Sequence, residues 1–553
     1  MTEPIRLGTR ASLLARTQSA AIGDALTAAS GRPWVEVLVR TPGDDTTKPL
    51  DQSGSPGLFV STLRRALLAG DVDVIVHSFK DLPSLPEPGV TIAAVPGRED
   101  PRDALVSRDG VRLGDLPTGA VVGTSSPRRA AALLRARPDL QVTPIRGNVD
   151  TRIRKVRDGE FDATVLAVAG LTRIGRLDEI AEILDDMIAA PAQGALAIEC
   201  RADDVAMLDL LARLDDPVAR LRTAAERQVL VGINAACTTA VAAQADYVDG
   251  ALRLRAELTV DDQHTSADVS VTATPGDLDA ARVLGLRAAA ALVGTDRPVL
   301  LIRSEGNETD AESLSGYGLA SISEPYVRIS PLSAGADGRA LAALLDGCAT
   351  DPAVATGTWL VATSPMTAPS WLVAAADTDL GGAVRRAVAA GVRAAATGER
   401  TAATLRDLGF TEVLVPSDES SAQGLVSALE GHGPARALFP RGNLALRTLP
   451  DGLRDLGWQV EEGVVYETAT VEDRPASSTM VAAGEVAAVV VRSPSAVRAL
   501  VHHATVPATV PVICAGRTTA AAAQEAGLEV AAVAASPASR DVAETVAAVL
   551  GRG

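Results

Sequence analysis

At 553 residues the chain exceeds what one hydrophobic core usually holds, so three to five compact units are expected. Its 47% hydrophobic and 22% charged content is that of a globular protein. A net charge of −17 argues against a generic nucleic-acid surface, and no run approaches the roughly 20 apolar residues of a membrane span. The opening run MTEPIRLGTRASLLARTQSA, interrupted by Arg6, Arg10 and Arg16, has no signal-peptide core, so a cytoplasmic protein is expected. Cys200, Cys237, Cys348 and Cys514 are scattered without CxxC or metal spacing. The five histidines show no HxxxH or HExxH spacing, so neither a disulfide framework nor a metal site is expected.

In chain order, short β-branched runs alternate with helical stretches, the pattern of α/β units with largely parallel sheets. Ser12 is placed to cap a helix over 12–28. The strand-like runs DVDVIVHS (71–78), AVVGTSS (120–126) and DATVLAVAG (162–170) follow, with amphipathic segments at 126–138 and 150–159. Near 215 the pattern changes: a helix over 215–233 leads to Cys237, then to alternating runs such as ALRLRAELTV (251–260) and a helix over 276–293. This reads as a small α+β domain closed by the turn-rich GTDRP at 294–298. The second half carries an internal duplication. WLVATSP (359–365) resembles VVVRSP (489–494), and ATGERTAATLRDLGF (396–410) resembles CAGRTTAAAAQEAGL (514–528), which predicts two similar α/β lobes.

Chemistry concentrates on the loops after the predicted strands, where α/β folds bind ligands. HSFKDLP (77–83) offers Ser78, Lys80 and Asp81, and Lys80 is one of only three lysines in the chain. GTSSPRR (123–129) offers Thr124, Ser126, Arg128 and Arg129, with Ser125 and Ser126 placed to cap a helix whose N-terminus favours an anion. Arg10 and Ser12 lie in GTRAS, Arg146 and Arg152 in IRGNVDTR, and Arg173 in LTRIGR. Guanidinium forks gathered from several loops suit a polycarboxylate ligand. Asp81, a carboxylate among cations, either balances their charge or stabilises a cationic intermediate and moves protons; composition does not choose.

RLGTRASLLARTQS, GLFVSTLRRALLAGDVDVIVHSFKDLP, REDPRDALVS, GTSSPRRAA, IRGNVDTRIRKV, LAVAGLTRIGR and PAQGALAIECR occur in the order found in hydroxymethylbilane synthases (porphobilinogen deaminases), which residues 4–295 resemble throughout. The resemblance implies head-to-tail joining of four porphobilinogen molecules with release of ammonia, giving a linear tetrapyrrole. It implies Asp81 as catalytic aspartate, and Lys80, Ser78, Arg128, Arg129, Thr124, Ser126 and Arg146 as cofactor-binding groups. Arg10, Ser12, Arg152 and Arg173 would bind substrate. Cys237 would carry a dipyrromethane cofactor through a thioether. The sequence departs from the family in two places: Gln52 and Pro56 stand in a loop that often carries lysines, and Ala235-Ala236 precede Cys237 where glycine is usual.

VLLIRSEG, WLVATSP, TGERTAATL, LFPRGNLALRTLPDGLRDLGWQVEEGVVYETA, VRSPSAVRAL and CAGRTTAAAA resemble uroporphyrinogen-III synthases, over 297–553. That family implies cyclisation of hydroxymethylbilane with inversion of the last ring. Tyr466 is then a proton donor to the departing hydroxyl or a half-buried strand residue. Thr363, Ser364, Thr401, Ser493, Ser495, Thr518 and Thr519 would be cleft donors, and Arg492 replaces a small polar residue.

The implied fold class is α/β. A two-lobed deaminase, like periplasmic binding proteins, has domain 1 at 1–95 with 192–215 and domain 2 at 96–191. A small α+β domain at 216–295 carries the cofactor cysteine. A bilobal α/β module follows, with lobe 1 at 297–332 and 470–553 and lobe 2 at 333–469. A monomer is expected, with small-molecule partners, no nucleic acid and no membrane. Two rivals remain: a non-enzymatic anion-binding module, and a deaminase with a degenerate, scaffolding second half.

Overall fold

The computed structural model describes residues 3–39, 57–236, 238–302, 307–332, 335–417 and 421–552. Cys237, Gln52 and Pro56, the loop at 43–56 and the end of VLLIRSEG lie outside the described residues. The chain divides into two compact units. The first comprises Met1–Glu324, Arg474–Arg492 and His503–Gly553; the second comprises Pro325–Asp473 and Ser493–His502. Among the described residues, no helix is long and apolar enough to cross a membrane.

In the first unit, two five-stranded sheets share one plan. One runs Trp34–Leu38, Ile5–Thr9, Val74–Ser78, Leu196–Arg201, Val90–Ala94; the other runs Gln141–Thr143, Val121–Gly123, Ala163–Ala167, Asp103–Ser107, Glu182–Ile183. In each, the first three strands are parallel and the fourth is antiparallel to both its neighbours. Four of the five strands in each sheet thus run one way, as the expectation of largely parallel sheets has it, and one return strand runs against them. The chain leaves the first sheet after Val90–Ala94 and re-enters it at Leu196–Arg201, and that return strand has to run against Val74–Ser78. Hydrophobic alternation cannot show this direction, because a strand buried on both faces looks alike either way.

Local chemistry sets the helix starts. Ser12 caps Leu13–Ser30 by accepting from the Ala15 amide, and Ser126 caps Pro127–Ala136 by accepting from Arg129. Ser125 does not share that role; its hydroxyl donates to the Ile145 carbonyl at 2.8 Å, pinning the neighbouring loop. The run DATVLAVAG divides into the strand Ala163–Ala167 and a short helix Val168–Arg173, so Arg173 closes a helix rather than sitting on a loop.

Ala240–Val248, Ala251–Val260 and Gln263–Thr272 form an antiparallel meander covered by the helices Pro217–Gly232 and Leu278–Leu292. Leu221, Ala225 and Val229 meet Leu284, Ala288 and Leu254 in its core. The chain then passes into an all-parallel sheet ordered Ser321–Ser323, Val299–Leu301, Ala488–Val491, Val512–Cys514, Val530–Val533. The second unit holds one six-stranded sheet, Val327–Pro331, Gln459–Thr470, Arg436–Gly442, Thr358–Ala362, Arg393–Ala396, Val413–Leu414. It is parallel except for the first pair.

The duplication read from the sequence appears as a repeated succession of elements. Thr358–Ala362 precedes Thr367–Ala374, and Arg393–Ala396 precedes Glu399–Leu408. In the second copy, Ala488–Val491 precedes Pro494–His503, and Val512–Cys514 precedes Arg517–Glu525.

The helices Pro217–Gly232 and Leu278–Leu292 touch backbone to backbone at Gly285, where a Cβ would stand 2.4 Å from the Ala225 carbonyl oxygen and 2.6 Å from the Gln228 Cβ. Gly285→Ala would force the pair apart despite alanine's better helix propensity. The expected loss is about 1–3 kcal/mol, read as a lowered midpoint of thermal unfolding.

Candidate active site

The turn Phe79–Asp81 follows the buried strand Val74–Ser78 and holds its two charged side chains differently. The Asp81 side chain is exposed, and among the described residues no hydrogen bond or ion pair engages it. Lys80 is half-buried, and its ammonium donates to Gln193 Oε1 at 2.9 Å. Burial, reinforced by Arg129 and only partly opposed by Asp81 and Asp103, lowers the amine to about 8.

Gln193 extends this contact. Its Nε2 donates to Asp103 Oδ1 at 2.9 Å and to the Pro101 carbonyl at 2.7 Å. Asp103 is fully buried and pairs with Arg128 and Arg129, each at 2.7 Å. Burial opposes its charge, but the two guanidiniums and Lys80 outweigh that and hold the carboxyl well below its usual range. Arg129 is used up internally: Nε and one Nη bond Asp103, and the other Nη bonds the Val165 carbonyl at 2.9 Å. Arg128 donates to the Ile188 carbonyl at 2.8 Å, while its buried Nε has no hydrogen-bond partner.

Around this cluster, Arg152 and Arg173 are half-buried and donate to the carbonyls of Gly147 (2.8 Å) and Gly194 (2.6 Å). Burial pushes both guanidiniums below their ordinary value. Arg129 adds to this for Arg152, and Asp81 opposes it. Arg146 is exposed and Arg10 half-buried. The small hydroxyls hold the loops. Ser78 accepts from Gln18 at 3.1 Å, Thr124 accepts from the Ser126 amide at 3.2 Å, and Ser12 and Ser126 are helix caps.

Desolvated cations thus outnumber the one buried carboxylate among them, and a carboxylate-bearing group fits that imbalance. The Cys237 attachment point is outside the described residues. The other three cysteines are buried and free, and burial raises Cys200 and Cys514 to about 11.

The sequence reading missed Asp103, Gln193, Glu226 and Arg227. Glu226 is fully buried; it receives Arg98 at 2.7 and 3.0 Å and the amides of Ala192 and Ala245 at 2.6 and 2.7 Å. Arg98 and Ala192 lie on the two chain segments that cross between the first two sheets. Arg227 stacks over Phe79 at 4.6 Å and donates to the Phe79 and Leu82 carbonyls at 3.3 and 3.2 Å, and to that of Pro83, supporting the turn that presents Asp81. The available signal was the spacing of charged residues on the helix bearing AERQVL.

In the second unit, Tyr466 is 8% exposed and packs in the core of its sheet. Its ring covers Gly442, where a Cβ would stand 2.4 Å away. Burial raises its hydroxyl's pKa, against the pull of Ser364, the Gly442 backbone and Thr367. Ser364 accepts from the Met366 amide, and the Thr363 carbonyl accepts from Thr397 at 3.3 Å. Ser493 and Ser495 share a hydrogen bond at 2.9 Å, with Ser493 accepting from the Ala496 amide. Thr401 is buried at the start of Glu399–Leu408. In the first unit, Thr519 is buried and Thr518 exposed at the start of Arg517–Glu525, and Arg492 bonds Asp310 at 3.0 Å.

Two α/β lobes crossed twice by the chain, with cations gathered near the strand ends, make a two-lobed α/β protein suited to an acidic ligand. Residues 5–209 match the family "porphobilinogen deaminase, dipyromethane cofactor binding domain", residues 220–294 its C-terminal domain, and residues 308–544 "uroporphyrinogen-III synthase HemD". The chain is 47% identical over 321 residues to a porphobilinogen deaminase of Nocardia farcinica (strain IFM 10152), covering 57% of this chain and 92% of that protein. The Thermobifida fusca (strain YX) deaminase is 49% identical over 292 residues, covering 51% and 91%. Among solved structures, a mutant uroporphyrinogen III synthase from the extremely thermophilic bacterium Thermus thermophilus is 18% identical and covers 46% of this chain and 100% of its own, with a TM-score of 0.33. The Helicobacter pylori 26695 synthetase, also 18% identical, covers 45% and 97%, with a TM-score of 0.31. The chain belongs to the porphobilinogen deaminase family, with its dipyrromethane cofactor, and continues as a uroporphyrinogen-III synthase domain. It is a fusion of two tetrapyrrole-forming enzymes, a transferase followed by a lyase.

Lys80 offers a direct test of the cationic excess, because only three lysines give side-chain NMR signals. One of them should titrate near pH 8. Protonating this amine works against the fold, so its penalty is absent above pH 10.5 and complete below about 8. A bound polycarboxylate should move the titration upward.

Proposed function

We propose that this chain joins four porphobilinogen molecules head to tail, releasing ammonia, and closes the resulting hydroxymethylbilane to uroporphyrinogen III with the last ring inverted. The observation that carries the first step is the exposed, unengaged Asp81 carboxylate beside half-buried Lys80 and Arg152. Asp81 faces the positive charge that develops as ammonia departs and takes up the proton released when the new carbon–carbon bond forms. Lys80, Arg128, Arg152 and Arg173, with the more exposed Arg10 and Arg146, hold the acidic side chains of cofactor and chain. Ser12, Ser78, Thr124, Ser126 and Arg129 fix the loops that present them. The cofactor, when bound, supplies an anchored end to which units add, so each coupling is intramolecular. Cys237 is the attachment residue, and the high pKa of buried Cys200 and Cys514 leaves them unreactive.

In the second step, burial keeps the Tyr466 hydroxyl protonated, and it donates to the departing hydroxyl of the linear tetrapyrrole. Thr363, Ser364, Thr401, Ser493, Ser495, Thr518 and Thr519 are the hydroxyls that receive this substrate. A cytoplasmic location, supported by three free cysteines, and a monomeric state complete the reading.

Full-length protein given porphobilinogen should yield mainly the type III isomer; the type I isomer alone would reject an active second half. The same preparation, weighed intact, should carry a two-pyrrole adduct that Cys237→Ser removes.

Asp81→Asn preserves size and removes charge. Turnover should fall about 10²–10³-fold with the fold intact, and a loss of only a few-fold would reject the assignment.

A further inference from the structure

We propose that Glu324 is a clasp that fixes the sheet containing Val299–Leu301 to the helix Pro217–Gly232, making the deaminase C-terminal domain and that part of the synthase one rigid body. Glu324 follows the strand Ser321–Ser323 and is only 7% exposed. Its two oxygens receive three donors: Gln228 Nε2 at 2.8 Å, and the amides of Ala476 and Ser477 at 3.2 and 2.7 Å. Gln228 falls within the deaminase C-terminal match, whereas Glu324, Ala476 and Ser477 fall within the synthase match. The hydrogen bond between Gln228 and Glu324 therefore crosses from one enzyme to the other. A buried carboxylate is tolerated only when its lone pairs are occupied, and here each oxygen is. Burial still raises its pKa, against the pull of Ser477, Ala476 and Gln228.

Two further contacts follow the same boundary. Arg287, on the helix Leu278–Leu292, pairs with Glu485 at 2.8 and 3.0 Å, and Arg297 donates to the Val486 carbonyl at 3.2 Å. The helix Leu278–Leu292 also packs against Ser477–Ala482. Leu284 and Ala288 serve the core of the meander, yet Val283 and Ala290, outside that core, are 6% and 1% exposed. A helix capping a free-standing domain would leave one face in water; this one is covered on both. The clasped helix is also the one whose Arg227, next to Gln228, supports the Asp81 turn.

The test is hydrogen exchange on the full-length chain, comparing wild type, Gln228→Glu, and Gln228→Glu combined with Glu324→Gln. The single change sets two carboxylates against each other and should speed exchange in both 217–232 and 474–482 on the order of tenfold to a hundredfold. The strand Ala163–Ala167 should be unaffected. The double change turns the Gln228–Glu324 hydrogen bond around and leaves Ser477 its acceptor, but the Ala476 amide shares the oxygen that Gln228 meets; protection should therefore return in 217–232 and only in part in 474–482, a rescue that mere loss of packing would not give. Acceleration on one side of the boundary only, or no rescue, would overturn the proposal. Should Gln228→Glu fail to fold, wild-type exchange in increasing denaturant decides: the two segments should open together, and separate openings would overturn it.

Discussion

Asp103 is the charge on which the deaminase site depends. Three cations, Arg128, Arg129 and Lys80, are withdrawn from water around it, and each would be costly there without an anion. Asp103 receives both guanidiniums directly and reaches Lys80 through Gln193. Because these groups come from different loops, satisfying one carboxylate fixes the relative positions of HSFKDLP, GTSSPRR and PAQGAL. Asp81 then stands beside a fixed positive field and stays unengaged, which is the state its proposed role needs.

The same constraint recurs at each junction of the first unit. Glu199, on the strand paired with Val74–Ser78, is bonded by Arg64 at 2.6 and 3.1 Å and lies 3.3 Å from His77. Burial opposes its ionisation, and His77 with Arg64 more than offsets that. Glu226 joins both interlobe crossings to the meander, and Glu324 joins the helix beside it to the synthase sheet. A buried carboxylate with saturated lone pairs holds orientation more strictly than apolar contact, which tolerates sliding. These glutamates set the geometry, and the aliphatic cores supply most of the driving force.

In the synthase half the repeated succession of elements places paired hydroxyls alike. Glu399–Leu408 and Arg517–Glu525 each begin after an extended glycine with no side-chain cap, and Thr401 and Thr519 are both buried in the first turn. First-turn amides without a side-chain cap are available to an acidic ligand. Tyr466 is set by packing over Gly442, so the strand and proton-donor readings of that residue are compatible.

The sequence by itself determined the elements, the internal duplication, the loops on which the cations gather and the two families. Hydrophobic period, capping serines and contiguous motifs are all local. Tertiary structure alone decided the antiparallel return strands and the division of labour among the cations. It made Arg129 a scaffold while leaving the Nε of Arg128 without a partner, and it made Ser125 a loop tie. It also brought out Asp103, Gln193, Glu226, Arg227 and Glu324. The reason is distance along the chain. Lys80 meets Gln193 113 positions on, and Gln193 meets Asp103 90 positions back. Whether a charge is an anchor or a ligand depends on which opposite charge the fold brings to it.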